Sequence, residues 1–250
     1  MQARGARRVP RIVTVSESSR RDIAEQLGAE LERIAVVPVG VDETVFRPMP
    51  GAVRVPGRIM TTASSDVPVK GLIPLLEALA KVRTERPDAH LVVIGRLKDR
   101  SAVPEALERF GLQGAVRFLS GVTDQAIVEL YSKAEIAVVP SLYEGFSLPA
   151  VEAMACAVPL VATTGGALPE VAGQHGVTAL LVPPNDPGAL AQAIITALSD
   201  HELRRRLGAA GRQRTIERFT WPVTARGTVE QYLELLTGRP SAANSTMVSC

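Results

Sequence analysis

The chain has 250 residues, 46% of them hydrophobic, enough to bury a sizeable core within one large α/β domain or one domain plus part of another. Its 28 basic residues against 26 acidic ones leave a formal charge of +2, which argues against nucleic acid or an anionic membrane surface as the partner of the whole chain. Its two cysteines, Cys156 in an apolar run and Cys250 at the end, form neither a disulfide framework nor a metal spacing and fit a reducing cytoplasm.

In chain order, a basic stretch QARGARRVPR lacks the interleaved aromatics of a nucleic-acid surface and reads as a solvated face. RIVTVS then predicts a strand and ESSRRDIAEQLG a helix, a βα unit with no sheet to join. From Val36 to Gly57 the chain is rich in Pro and Gly and carries no period, which predicts a linker. Short β-branched runs follow: RIMTTAS, HLVVIG, VRFLSG, EIAVVP, PLVATT and TALLVP. Between them lie LIPLLEALAKVR, PEALERFG, DQAIVELYSKA, LPAVEAMACA and DPGALAQAIITALSD, with apolar positions at helical spacing. Strands alternating with helices predict an α/β fold with a doubly wound, Rossmann-like parallel sheet covered on both faces, its ligand beyond the carboxyl ends of the strands. HELRRRLGAAGRQRTIERFTWPVTARGTVEQYLELL predicts two or three closing helices, and the small polar tail GRPSAANSTMVSC a disordered end. The divisions are 1–40, the remnant of a preceding domain together with the start of the linker; 41–57, the rest of the linker; 58–237, the main domain with its carboxyl-terminal helices; and 238–250, the tail. Neither a signal peptide nor an apolar run of membrane-spanning length is present, so a cytoplasmic chain is expected.

The chemistry concentrates in YEGFSLPAVEAMACAVP, where seven residues separate Glu144 from Glu152. Glu144 falls on the loop after a strand and Glu152 one turn into the next helix, with Pro149 suited to that helix's first position. The backbone N–H groups around Gly145, Phe146, Ser147 and Leu148 then lie at the positive end of a helix dipole and favour a phosphate. Carboxylates beside a phosphate make sense where they accept hydrogen bonds from hydroxyls, as of a ribose and a sugar flanking a diphosphate. Lys70, before the first helix of the main domain, supplies a cation at the same edge.

Other chemistries are weaker. GFSLP departs from a nucleophile elbow at Pro149, and no histidine is evidently paired with Ser147. His90, His175 and His201 read as surface or packing residues and form no metal cluster. Neither a P-loop nor a dinucleotide fingerprint is present. A glycosidase would need carboxylates flanking a scissile bond. Glu170 is equally suited to touching a donor or capping a helix.

VTVSESSRRDI, VVPVGVDETVFRP, VPVKGLIPLLEALAKV, LVVIGR, the run from VRFLSG to PLVAT, and GGALPEV occur in an order that resembles the retaining nucleotide-sugar glycosyltransferases of family 4, with GT-B architecture. The resemblance implies transfer of a glycosyl group from a nucleotide-diphosphate sugar, with no cofactor and no obligatory metal. It implies that Glu144 contacts the transferred sugar and Glu152 the ribose, that Lys70 and the loop from Gly145 to Leu148 hold the diphosphate, and that Gly95 and Val122 lie where the base packs. The base, sugar and acceptor stay open, as do a membrane-associated acceptor reached through a missing half and self-association. The chain departs from the pattern at Ser65, where an Arg is usual, and at Val39-Gly40, where the linker turn is usually Asn-Gly. It also resembles only the carboxyl-terminal, donor-binding half with a remnant of the other. The alternatives are a catalytically silent nucleotide-binding fragment and a nucleotide-sugar epimerase or hydrolase of the same architecture.

Overall fold

The computed structural model describes residues 5–6, 8–63, 67–98 and 100–238; Ser65, Cys250 and the tail from residue 239 on lie outside them. The chain opens with β1 (Ile12–Thr14), α1 (Glu17–Leu27) and β2 (Ile34–Val36). The two strands pair in parallel with Ile12 opposite Ile34. This corrects the expectation that the leading strand and helix have no sheet to join. Three residues of β2 in a Pro-rich context are too short to show a period, yet they complete a small βαβ unit.

The main body follows as β3 (Arg58–Thr62), α2 (Leu72–Glu85), β4 (His90–Ile94), α3 (Val103–Arg109), β5 (Val116–Leu119), α4 (Asp124–Lys133), β6 (Ile136–Val139), α5 (Leu148–Ala155), β7 (Leu160–Thr163), α6 (Leu168–Ala172), β8 (Leu180–Val182) and α7 (Pro187–Ser199). The six strands make one parallel sheet in the order β5-β4-β3-β6-β7-β8. Alternation along each strand divides the core. Ile59, Leu91, Val93, Ile136, Val138 and Val161 meet α2, α3 and α7 on one face. On the other, Met60, Ile94, Ala137, Val139, Leu160 and Ala162 meet α4, α5 and α6. β6 and β7 are buried at every position, which is why their sequences read as unbroken apolar runs. Leu75, Leu76 and Leu79 of α2 are wholly buried, each worth about 1.5–3 kcal/mol relative to exposure.

The strand order fixes where a ligand can sit. The chain steps outward from β3 to β5, then returns to lay β6 against the other side of β3, so a crevice opens between the carboxyl ends of β3 and β6. The loops leaving those two strands carry Lys70 and Glu144.

Two long helices close the chain, α8 (His201–Arg218) and α9 (Trp221–Thr237). α9 reaches back to the amino-terminal unit: buried Glu234 pairs with Arg11 at 3.0 Å and Thr224 Oγ1 donates to the Pro38 carbonyl at 2.8 Å. The linker is packed rather than free, with the Arg54 guanidinium bonding the carbonyls of Ala134 and Ala157. A Cβ at Gly40 would overlap the Thr220 backbone, so this glycine serves close packing against the entry to α9 rather than a left-handed turn. Among the described residues no helix is long and apolar enough to cross a membrane.

Candidate functional site

The loop from Ser141 to Ser147 is held from three sides. The Leu142 N–H donates to the Val69 carbonyl at 2.7 Å, tying it to the segment that carries Lys70. The Ala167 N–H donates to the Glu144 carbonyl at 2.8 Å, and the Thr163 hydroxyl donates to the Ser141 carbonyl. From the amino-terminal unit, the hydroxyls of Ser16 and Ser19 both donate to the Gly145 carbonyl, at 2.6 and 3.0 Å. Phe146 is buried edge-on against Phe219, ring centroids 5.7 Å apart, and anchors the loop to the core.

Within this frame Lys70 Nζ lies 2.8 Å from Glu144 Oε1 and 2.9 Å from Oε2, while Ser141 Oγ donates to Oε1 at 2.7 Å. Glu144 is nearly enclosed, its side chain 11% exposed, and that of Lys70 is 34% exposed. The approach depends on Gly71, whose φ of 68° is left-handed and whose Cβ would overlap the Pro140 carbonyl oxygen. No other residue fits between the start of α2 and the end of β6.

Ser147 caps α5 from a sparsely populated backbone conformation, φ 155° and ψ 90°, its side chain accepting from the Ala150 N–H. Buried in that role, its hydroxyl is not presented as a nucleophile. Among the described residues the N–H groups of Phe146, Ser147 and Leu148 have no hydrogen-bond acceptor, which leaves three unpaired donors at the amino end of α5. Pro149 is the second residue of the helix, not the first.

Glu152 stands in a different setting. It lies in α5 with no hydrogen-bond donor to its carboxylate among the described residues. Burial, with a lesser push from Asp124, raises its carboxyl to about 7. Burial likewise lifts the neighbouring Cys156 thiol to about 12, which keeps it an inert part of the core. Gly95 and Val122 lie at the carboxyl ends of β4 and β5, the Gly95 N–H donating to the Leu119 carbonyl at 2.8 Å and Val122 packing on the second core. Lys70, Glu144, Gly145, Gly95 and Val122 thus follow the carboxyl ends of four neighbouring strands, while Glu152 lies in the second turn of α5. Among these six, side-chain hydrogen bonds join Lys70 to Glu144.

Glu170 caps a helix, and the helix is α1: its two oxygens accept from the N–H groups of Glu17 and Ser18, each at 2.7 Å. Sequence reasoning missed Ser141, Ser16 and Ser19, because a serine next to a strand end is common and only the fold aims it. An open cavity of about 260 Å³, lined by Arg58, His90, Arg117 and Leu130 among others, runs along β4 and β5 and is lined by none of the candidate site residues. His175 is a surface residue, its Nδ1 accepting from the Leu181 N–H at 3.0 Å.

Residues 52–214 match the family model described as glycosyl transferases group 1. The chain is 43% identical over 232 residues to an MMP alpha-(1->4)-mannosyltransferase of Mycolicibacterium hassiacum, covering 93% of this chain and 56% of that protein. It is 32% identical over 246 residues to a D-inositol 3-phosphate glycosyltransferase of Kineococcus radiotolerans, covering 89% of this chain and 56% of the relative. It therefore spans a little over half the length of both relatives. Among solved structures, a sucrose-phosphate synthase of Thermosynechococcus elongatus superposes with a TM-score of 0.81 at 25% identity, covering 95% of this chain and 61% of the other. The carboxyl-terminal domain of a group 1 family protein from Francisella tularensis is matched over its whole length, with a TM-score of 0.64 at 26% identity and 73% of this chain covered. With the Rossmann-like strand order and the loops at its switch point, these matches establish that the chain belongs to the group 1 glycosyl transferases.

Proposed function

We propose that this chain forms the donor-binding part of a retaining glycosyltransferase that takes a glycosyl group from a nucleotide-diphosphate sugar. The observation that carries the reading is the meeting of Lys70 and Glu144 across the crevice between β3 and β6. Lys70 and the N–H groups from Phe146 to Leu148 would hold the diphosphate and stabilise its charge as it departs. The Glu144 carboxylate would accept from sugar hydroxyls and that of Glu152 from the ribose. Retention at the anomeric carbon rests on the resemblance of the ordered motifs. Similarity to a protein named a mannosyltransferase makes a mannosyl group the first to test.

The test is calorimetric titration with uridine, guanosine and adenosine diphosphates and their mannose and glucose conjugates, followed by a turnover assay on those that bind. Tight binding of at least one sugar nucleotide, lost in Lys70→Ala, is expected; no binding by the folded chain would sink the reading. One observation favours a second reading, a nucleotide-binding module without turnover of its own: the chain spans 56% of either relative, and the remainder would have to supply the acceptor wall. Binding without turnover selects it.

A further inference from the structure

We infer that Glu144 is a specificity-determining residue: by competing for Lys70 it makes the site favour a nucleotide that carries its sugar over the bare nucleoside diphosphate. The inference rests on the donor-site reading above and concerns how that site distinguishes donor from by-product. Lys70 Nζ engages both carboxylate oxygens, at 2.8 and 2.9 Å, and Ser141 Oγ adds a third bond at 2.7 Å. The ammonium a diphosphate needs is therefore already held by an internal anion. The two residues leave the sheet from β3 and β6, so their ion pair bridges the crevice a ligand must enter.

A diphosphate that takes the ammonium releases a carboxylate whose side chain is 11% exposed and places further negative charge beside it. Ser141 is then the one donor left to Glu144 among the described residues. Removing one partner of an enclosed pair leaves an uncompensated charge that water reaches poorly. A sugar attached to the diphosphate changes the exchange: its hydroxyls donate to Glu144 in place of the ammonium, while the phosphates take Lys70. Both groups of the old pair then have new partners. A bare diphosphate satisfies one and strands the other.

Glu144→Gln keeps the side chain's shape, removes its charge and frees Lys70. Calorimetric titration with uridine, guanosine and adenosine diphosphates should therefore show binding of the preferred diphosphate strengthened roughly 5- to 50-fold, as removal of a close charge competitor allows. The preference for the sugar nucleotide should shrink by a similar factor. In a Lys70→Ala background the same change should give no gain. Ser141→Ala gives the opposite sign: with its hydroxyl gone, Glu144 depends on Lys70 alone, and the bare diphosphate should bind more weakly. A thermal midpoint within a few degrees of the parent shows that each variant is folded. If the parent binds diphosphates and Glu144→Gln weakens or fails to change that binding, the inference is overturned while the donor reading stands. If the folded parent binds neither diphosphates nor sugar nucleotides, the donor reading falls and takes the inference with it.

Discussion

Glu144 and Glu152 belong to one motif, yet the fold gives them opposite surroundings. Both oxygens of Glu144 are engaged by Lys70 and one also by Ser141, whereas Glu152 is half-buried without a donor among the described residues and its carboxyl is raised to about 7. The sign of the pH effect follows. A carboxyl raised from its ordinary value near 4.5 makes the folded chain bind protons more tightly than the unfolded one. Its contribution to stability is complete below about 4.5 and is lost as pH rises through about 7, a swing on the order of 3 kcal/mol at most. Glu152→Gln should therefore lose less stability than the parent between pH 5 and pH 8, measured by urea unfolding at each pH; parallel losses would contradict it. If Glu152 receives ribose hydroxyls, nucleotide affinity should rise as pH passes about 7, the ionised form being the better acceptor. Glu152→Gln should weaken binding at pH 8 by about 1.5–3 kcal/mol and flatten that rise, a comparison that removes the ligand's own titration. That Lys70 and Glu144 meet at one edge of the sheet was legible from the conjunction of their places after two strand-like runs, each signal being weak alone. Ser141 was not: its bond to Glu144 is one of many that a serine beside a strand end could make, and no local pattern selects it.

Elements bring the two arms of the crevice together through backbone contact, and Gly71 is where they come closest. Gly71→Ala would place a Cβ against the Pro140 carbonyl while forcing a left-handed φ of 68° on an L residue. A loss of about 2–4 kcal/mol by urea unfolding is expected, larger than a relaxed Gly→Ala change because strain and overlap combine. An unchanged midpoint would show that α2 can shift to accommodate it. Glu170 joins α6 to the first turn of α1 by two charge-assisted bonds of 2.7 Å. Glu170→Ala should remove two of the three side-chain bonds to the first turn of α1, leaving Ser16 Oγ on the Ser19 N–H, at a cost to that helix of about 1–2 kcal/mol. Hydrogen exchange should quicken over residues 17–27 while the six-stranded sheet stays protected, and equal changes in both would refute a local cap. All seven strands read from β-branched runs are present: six join the parallel sheet, whose burial on both faces leaves continuous apolar sequence, and β1 pairs with β2 outside it. β2 escaped notice since its partner β1 is remote in sequence, and three residues cannot show a period. The cap on α1 was equally hidden, as it crosses more than 150 positions of chain.

At the scale of the molecule, α9 inverts the usual helix pattern. Gln231 and Glu234 are buried, Glu234 against Arg11 of the amino-terminal unit, while Tyr232, Leu233 and Leu236 stand 63%, 53% and 83% exposed. The polar inner face is invisible in the local sequence, because the buried charge makes sense only beside Arg11, over 220 positions away. The same geometry bears on turnover. The described residues contain one six-stranded sheet and one two-stranded unit, and the Lys70–Glu144 crevice lies at the edge of the larger sheet with no second large sheet opposite. Transfer needs an acceptor oriented against the sugar, and such orientation is worth up to about 7–11 kcal/mol of barrier. The relatives are nearly twice as long as the part matched here, so the wall that positions an acceptor is sought in their unmatched portion. The 250-residue chain by itself is therefore expected to bind the sugar nucleotide but to transfer its sugar far more slowly than about 1 per second, a rate near the low end for enzymes. Radiolabelled donor, offered with mannosyl and inositol phosphate acceptors, measures this. Turnover at or above that rate would mean that the donor half, or a second copy of it, holds the acceptor itself, since nothing else in the reaction could supply the missing orientation.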